Sequence, residues 1–506
     1  MYQVWRVLMA TKTKIVKQTF LDLSSGMDAK TSSLFIKNNE CELIQNYHLD
    51  NVGSLTKRPG IVYLIGQTVD TMSILNMFYF KDSQGTDYSN VLVAVNPTGA
   101  ATSVIKKIAS NAWSNSETGN TASSVPYFAT FIDYIFRTNG TEVMSSSADL
   151  STWSNVNCLG TYKFKYVCVW EDRVYVLNDN STNKKPSRIV WSSLPISGNP
   201  LTITWAYDGT TASGKDAADI NPDDNDMITW GEPFGRRLLI FKNKGLYNWT
   251  FGQVEPDKII DVGTPQGLTV KQTQGICFFA NEYGVYVYTG EAQPILISKK
   301  VQPFIDAISS FANLRAEVDN DHYYLYIGDV TVKGETYSNT MLVYTISAKA
   351  WHIETYPFEI KSMARFQRKT LGTTEIYDSI YLGDDDGFVY RKGTGTSDYL
   401  GTAAKPINGR ILTKEYPLYN FPSYSNLDNL DFLAQKGTGA KVNYRIDRGD
   451  WVGWKDLQRR ITSDKISGKA RTLQFSITDN STTTSQLEGF SVQIRTEQAL
   501  RRDKNE

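Results

Sequence analysis

The amino-acid sequence predicts an all-β protein: a β-propeller of six or seven blades with an N-terminal arm and a C-terminal β-sandwich. Three observations predict it. Strand–turn–strand units recur with centres roughly 40–60 residues apart, near the size of a four-stranded blade. Their turns carry Asn, Asp or Gly, which tolerate positive φ, between strands rich in alternating Val and Tyr. Helical periodicity is scarce. A pair of β-sandwiches is the rival architecture, but it does not need so many similar hairpins.

The elements follow in chain order. Residues 20–60 read FLDLSSGMDAKTSSLFIKNNECELIQNYHLDNVGSLTKRPG. Phe20, Leu21 and Leu23 form a short apolar strand, Ser25 and Gly26 break it, an Asn-Tyr-His-Leu-Asp strand follows, and Lys57, Arg58, Pro59 and Gly60 close the run. Lacking a core of its own, this stretch reads as an ordered arm over residues 1–60. The hairpins come next. Residues 89–95 (SNVLVAV) precede Asn-Pro-Thr-Gly, and residues 127–137 (YFATFIDYIFR) end in Thr-Asn-Gly. Residues 164–177 (FKYVCVWEDRVYVL) turn at Glu171 and Asp172, and residues 238–249 (LLIFKNKGLYNW) turn at 243–245. Residues 275–288 (GICFFANEYGVYVY) turn at 281–284, residues 322–327 pair with 341–345, and residues 376–390 (IYDSIYLGDDDGFVY) turn at 384–387. The propeller thus spans residues 61–395.

Residues 178–226 interrupt this rhythm. Apart from a strand at 187–192 they are rich in turn residues, and they read as a long loop of the kind that carries partner contacts. Residues 303–317 (PFIDAISSFANLRAE) are the best helix candidate: Pro303 suits a first turn, and Phe304, Ile308, Phe311 and Leu314 share a face. After about Lys392 a linker-like stretch leads to residues 396–506, read as a compact antiparallel sandwich and a charged tail. Its expected core residues are Leu427, Leu430, Phe432, Leu473, Phe475, Phe490, Val492 and Ile494.

Composition narrows the function classes. Lys+Arg and Asp+Glu both total 53 in 506 residues, which argues against a dedicated duplex-binding surface but not against DNA passing through a ring that does not grip it. Cys41, Cys158, Cys168 and Cys277 have no C-x-x-C spacing and read as buried free thiols. His48, His322 and His352 are too few and too scattered to nominate a metal centre. No apolar run reaches membrane-spanning length. A second methionine, Met9, is an alternative translation start, which the mass of the intact protein would decide.

Several constellations invite a chemical reading, and each has a plainer one. Asp384, Asp385, Asp386 and Gly387 have the oxygen ligands of a Ca²⁺ loop but lack EF-hand spacing and its distal Glu; a hairpin turn is preferred. Asp219, Asp223, Asp224 and Asp226 form a second acidic cluster, read as a solvated loop. Ser147, Asp149 and Trp153 approach the Asp-box of sialidase propellers, one residue short and with Ser151 in place of Gly; a turn is preferred. Lys57 and Arg58 suit phosphate, a neighbouring subunit or a solvated corner, and Arg236 and Arg237 share that ambiguity. Arg459, Arg460, Arg501 and Arg502 read as solvated surface. Trp451 and Trp454 suit sugar or interface contact, or core packing. No G-x-S-x-G, Walker or zinc motif is present. No residue is assigned a catalytic, cofactor-binding or metal role, and no cofactor is expected.

The order arm, propeller, helix connector, last blade, sandwich resembles the tail hub, or nozzle, of short-tailed bacteriophages, including the packaged-DNA stabilisation proteins. The phrases that carry the resemblance are residues 22–60, FGRRLLIFKNKGLYNWTFG, GICFFANEYGVYVYTGEAQPILISKKVQPFID and the C-terminal FSVQIR. They are structural phrases, so their specificity lies in number and order. The resemblance implies a non-enzymatic virion protein of the phage tail, assembled in the bacterial host cytoplasm. It implies a homo-oligomer, commonly a hexameric ring, below a portal or adaptor protein. Such a ring docks a tail fibre or spike and conducts genomic DNA through its lumen without sequence-specific binding. The alternatives are a carbohydrate-binding or glycan-degrading propeller used as a receptor-binding tail part, and a host-cell scaffolding propeller.

Overall fold

The computed structural model describes residues 12–498 apart from 50–52, 66–67, 70–72, 81–90, 97–100, 110–111, 157–160, 197, 208–215, 251, 254, 292, 370–375, 402–403, 437–438 and 459. Met9, Cys158, Arg459, Arg501, Arg502 and the charged tail therefore lie outside the described residues, as does most of the Asn-Pro-Thr-Gly turn. The chain divides into two compact units. One is Gly60–Tyr344 with Thr355–Ala404; the other is Met1–Pro59, Thr345–Glu354 and Lys405–Glu506.

The first unit is a β-propeller. Six of its sheets are four-stranded antiparallel meanders, beginning with Ile74–Tyr79, Tyr127–Phe131, Phe164–Trp170, Ile228–Phe234, Lys271–Thr273 and Ser362–Lys369 as their first strands. A further meander, Arg315–Val318, His322–Val332 and Glu335–Thr345, stands between the fifth and the last of these. Its first strand packs on Lys271–Thr273 on one side and on Ser362–Lys369 on the other. First strands contact one another from Tyr127–Phe131 through Phe164–Trp170 to Ile228–Phe234, and from Lys271–Thr273 through Arg315–Val318 to Ser362–Lys369, which returns to Ile74–Tyr79. Phe78 stacks on Phe128, and Leu239 and Phe241 share a core cluster with Val270 and Phe279, so the ring closes.

The predicted hairpins hold, for local reasons. Ile132 and Asp133 (φ 44° and 59°) and Glu171 and Asp172 (φ 45° and 54°) form two-residue turns with both central φ positive, the geometry that matches strand twist. The alternation buries Val174, Val176 and Val190 in one blade-to-blade cluster and Tyr175, Leu177 and Ile189 in the next. Two expectations are corrected. The helix over 303–317 shrinks to Gln302–Asp306, because Arg315–Val318 is instead the first strand of a meander, hydrogen-bonded to His322–Val332; tertiary pairing outweighs the amphipathic pattern. The stretch 178–226 is only partly loop. Lys185–Trp191 and Ala217–Asp219 are the outer two strands of the third blade.

The last blade is completed from the N-terminal side. Ile61–Tyr63 pairs with Val389–Lys392, Tyr63 opposite Tyr390 and Ile61 opposite Lys392. Gly60 is required there, since a Cβ would lie 1.8 Å from the Ser397 carbonyl oxygen.

The second unit is a two-sheet β-sandwich made of three sequence-distant pieces. In one sheet, Gln486–Gln498 pairs with Ser425–Lys436 and, over ten residues, with Lys12–Leu21. In the other, Thr472–Asp479 lies between Gly409–Thr413 and Ala440–Ile446, and Cys41–Gln45 extends the sheet. All eight expected core residues are buried in a single cluster. That cluster also takes in Phe20, Leu23, Cys41, Ile44, Tyr47 and Leu55. The stretch expected to be a separate arm therefore shares the core of the C-terminal region. Phe490 anchors it, with ring centroids 5.0 Å from Phe20, 4.9 Å from Tyr416 and 4.5 Å from Phe475. Burying such rings contributes roughly 1.5–3 kcal/mol each. The predicted break at Gly26 is a left-handed turn (φ +88°) packed so closely that a Cβ would lie 2.6 Å from the Cβ of Ala350.

Candidate functional site

In the propeller, first strands other than Phe164–Trp170 line a cavity of about 250 Å³ at the axis. Period-2 alternation brings their polar and aromatic side chains to it: Tyr127, Phe128 and Trp230 among the walls, with Lys271, Arg315, Glu317 and Arg365. The charges are already engaged. Lys271 Nζ lies 3.1 Å from Glu317 Oε2. Arg365 holds Asp378 through two bonds, 2.9 Å and 2.6 Å, and Arg315 Nε donates to the Lys361 carbonyl at 2.8 Å. Beside this wall, burial pushes the Glu232 carboxyl up to about 7, opposed by the hydrogen bond from Trp230 Nε1 at 2.9 Å and by Lys271. A carboxyl near 7 has the value a general acid needs. Glu232, half-buried, nevertheless does not line the cavity, so it is not an acid presented to a ligand there.

The residues singled out in the sequence are dispersed, and most hold the fold together. Asp384 is buried; its Oδ1 accepts from the Phe388 and Asp386 backbone N–H groups at 2.6 Å and 3.1 Å, and its Oδ2 from the Tyr390 hydroxyl at 3.1 Å. Burial raises this carboxyl to about 6. It organises a turn, while Asp385 and Asp386 face solvent. In the second acidic cluster, Asp224 receives the fully buried Lys242 ammonium at 2.8 Å, Asp219 pairs with Arg188, and Asp226 accepts from Asn243 Nδ2 at 2.7 Å. Asp224 and Asp219 thus compensate buried cations, which a purely solvated loop would not do, while Asp223 and Asp224 themselves are exposed as read. The Asp-box-like run is a turn, as read. Asp149 Oδ1 accepts from Thr152 N at 2.7 Å and Ser151 N at 2.8 Å, which holds its carboxyl down at about 2.

Lys57 and Arg58 are corrected. Neither faces solvent: they are 3% and 2% exposed. Lys57 Nζ lies 3.0 Å from Asp479 Oδ1 and 2.8 Å from the Ser481 carbonyl, and Arg58 Nε donates to Asn46 Oδ1 at 2.9 Å. Arg237 donates to the Gly290 carbonyl at 3.0 Å, while Arg236 and Arg460 are exposed. Trp454 packs on Phe432 at the sandwich core; Trp451 is exposed, under the Arg445 guanidinium. Cys41, Cys168 and Cys277 are buried free thiols, Cys41 pushed up to about 12 by burial and by Glu40.

The sequence reading missed one constellation, which lies within the sandwich unit. His48, His352 and Glu354 come together there, all three buried, with one ligand-type atom from each lying within 4.8 Å of the others. His352 and Glu354 are two apart on Ala350–Thr355 and so share a face. Parallel pairing of Gln45 with Ile353, and the Asn46 N–H donating to the Ile353 carbonyl at 2.8 Å, brings His48 alongside. His48 Nε2 lies 2.7 Å from Glu354 Oε1. The only signal in the sequence was the His-x-Glu alternation of a strand; its partner lies 306 positions from Glu354.

No family model and no curated protein matches the chain. Among solved structures it is similar to YCF48 bound to D1 peptide, with 10% identity and a TM-score of 0.40 over 67% of this chain and 99% of that one. YCF48 from Cyanidioschyzon merolae gives 8% and 0.39 over 66% and 98%. The extracellular domain of the putative one component system BT4673 from B. thetaiotaomicron gives 13% and 0.42 over 86% of this chain and 58% of that one.

Proposed function

We propose that the chain is a non-enzymatic structural protein of a phage tail, a ring-forming hub or nozzle subunit that retains and conducts genomic DNA and docks an adaptor and fibres. The observation that carries the reading is a double closure. The propeller is closed by Ile61–Tyr63 on Val389–Lys392, and the sandwich by Lys12–Leu21 on Gln486–Gln498. A part that bears load during genome exit needs such closures, because opening either unit must break a ladder of backbone hydrogen bonds at once. Of the phrases that carry the resemblance, FSVQIR belongs to the strand that Lys12–Leu21 joins, residues 22–60 supply other sandwich strands, and the remaining two lie in propeller blades. The engaged charges of the axial cavity also suit a packed scaffold better than a catalytic cleft.

A second reading, a glycan-binding tail part, draws on the exposed Tyr419, Phe421 and Tyr424 in the segment between Tyr416–Pro417 and Ser425–Lys436. Negative-stain electron microscopy of the purified protein, with and without its candidate adaptor, tests the first. Closed rings with a central channel are expected. Single dispersed particles under both conditions would overturn it, and binding on a glycan array would then favour the second.

A further inference from the structure

We propose that His48, His352 and Glu354 form a binding site for a divalent transition metal of the zinc class, which cross-links the strand Ala350–Thr355 to the N-terminal strands of the sandwich. Two imidazoles and one carboxylate are the donor set that Zn²⁺ takes in three-protein-ligand sites. The three donor atoms already lie within 4.8 Å of one another. A tetrahedral ion with nitrogen and oxygen ligands wants them roughly 3.3 Å apart, from bond lengths of about 2.0–2.2 Å. Small side-chain rotations, opening the 2.7 Å contact between His48 and Glu354 and closing the rest, would reach that.

Burial argues in the same direction. The side chains of Glu354 and His48 are 0% and 11% exposed, and His352 is 0% exposed. Enclosing a carboxylate and two imidazoles in a β-sandwich is costly unless they are paired or coordinate a metal. His48 and Glu354 are already paired, and a shared cation would bring His352 into the same site. The residual exposure of His48 leaves a side from which solvent can supply the fourth ligand.

The position suits a structural ion. The piece Thr345–Glu354 is lent to the sandwich from the middle of the chain. Among the described residues, backbone bonds tie it to the N-terminal piece, including Met27 N to the Trp351 carbonyl and Asn46 N to the Ile353 carbonyl, each 2.8 Å. A metal joining residues 306 positions apart closes a long loop and couples ion binding to folding.

The test is titration of the metal-stripped, full-length protein with Co²⁺, read by visible absorption, with zinc content measured by mass spectrometry. The expected result is about one ion per chain with tetrahedral d–d bands and no thiolate charge-transfer band. Glu354→Gln and His352→Ala should weaken binding by on the order of 100-fold or more, since even second-shell changes cost 10–100-fold. His322→Gln should leave it unchanged, because His322 faces Asp319 in the propeller. Chelation should lower the melting temperature of the wild type and not of Glu354→Gln. Folded wild type without tetrahedral bands would overturn the proposal, whether or not the variants fold. So would equal binding by wild type and Glu354→Gln.

Discussion

Glu232 offers the sharpest test of the propeller's electrostatics. Its carboxyl has an ordinary value of 4.5 and is pushed by burial to about 7 in the fold. Below 4.5 it is protonated in both states and its contribution to stability is fully present. As pH rises through 7 the folded state must hold a charge in a poorly solvated place, and that contribution is lost. At about 1.36 kcal/mol per pH unit, the interval corresponds to roughly 3 kcal/mol, with Lys271 and the Trp230 hydrogen bond already offsetting part of the burial. Glu232→Gln keeps an oxygen for the Trp230 N–H and removes the ionisation. The variant should therefore match the wild type near pH 4.5 and exceed it by roughly 2–3 kcal/mol at pH 8. Urea unfolding of the two proteins at pH 4.5, 6 and 8, followed by tryptophan fluorescence, measures the difference. Asp384, raised to about 6, adds a slope of the same sign in both proteins and cancels in the comparison. An unchanged stability difference between pH 4.5 and 8 would refute the reasoning, since it would mean that the Glu232 carboxyl is solvated in the fold.

Two further predictions concern the sandwich. Lys57→Met should destabilise it by about 3–5 kcal/mol, because Asp479 is left charged and buried. The double variant Lys57→Met/Asp479→Leu should recover much of that loss in thermal melts. Removing residues 1–57 should leave the propeller folded, since its closing strand Ile61–Tyr63 survives. It should open the Lys405–Glu506 region, which loses its ten-residue ladder and half a dozen core side chains. Limited proteolysis should then cut that region first; equal resistance in both proteins would count against a shared core.

Much of the architecture was legible in the sequence, because its signals are local. Ile132 and Asp133, or Glu171 and Asp172, bend the backbone within two residues. Alternation along residues 164–177 sorts buried from exposed faces without reference to any other strand. The eight sandwich residues named in advance are buried for the same reason: a large apolar side chain at every second position has only one face on which to hide. What the sequence did not disclose is which distant segments meet. Leu314 and its neighbours have a helical pattern, yet a partner strand at His322–Val332 takes Arg315–Val318 into a sheet. Lys57 and Arg58 look like a wet corner until Asp479 and Asn46, from other strands, enclose them. The N-terminal stretch lacks a core only when read alone; Phe490 and Phe475, more than four hundred residues later, supply it. His48 gains His352 and Glu354 as neighbours through one parallel strand contact. Turn chemistry and alternation are written into a few adjacent residues, so the sequence by itself determined the blades. Long-range pairing is settled by the packing of whole strands, so only the tertiary structure decided how the propeller closes, what the sandwich is made of and where the buried histidines meet.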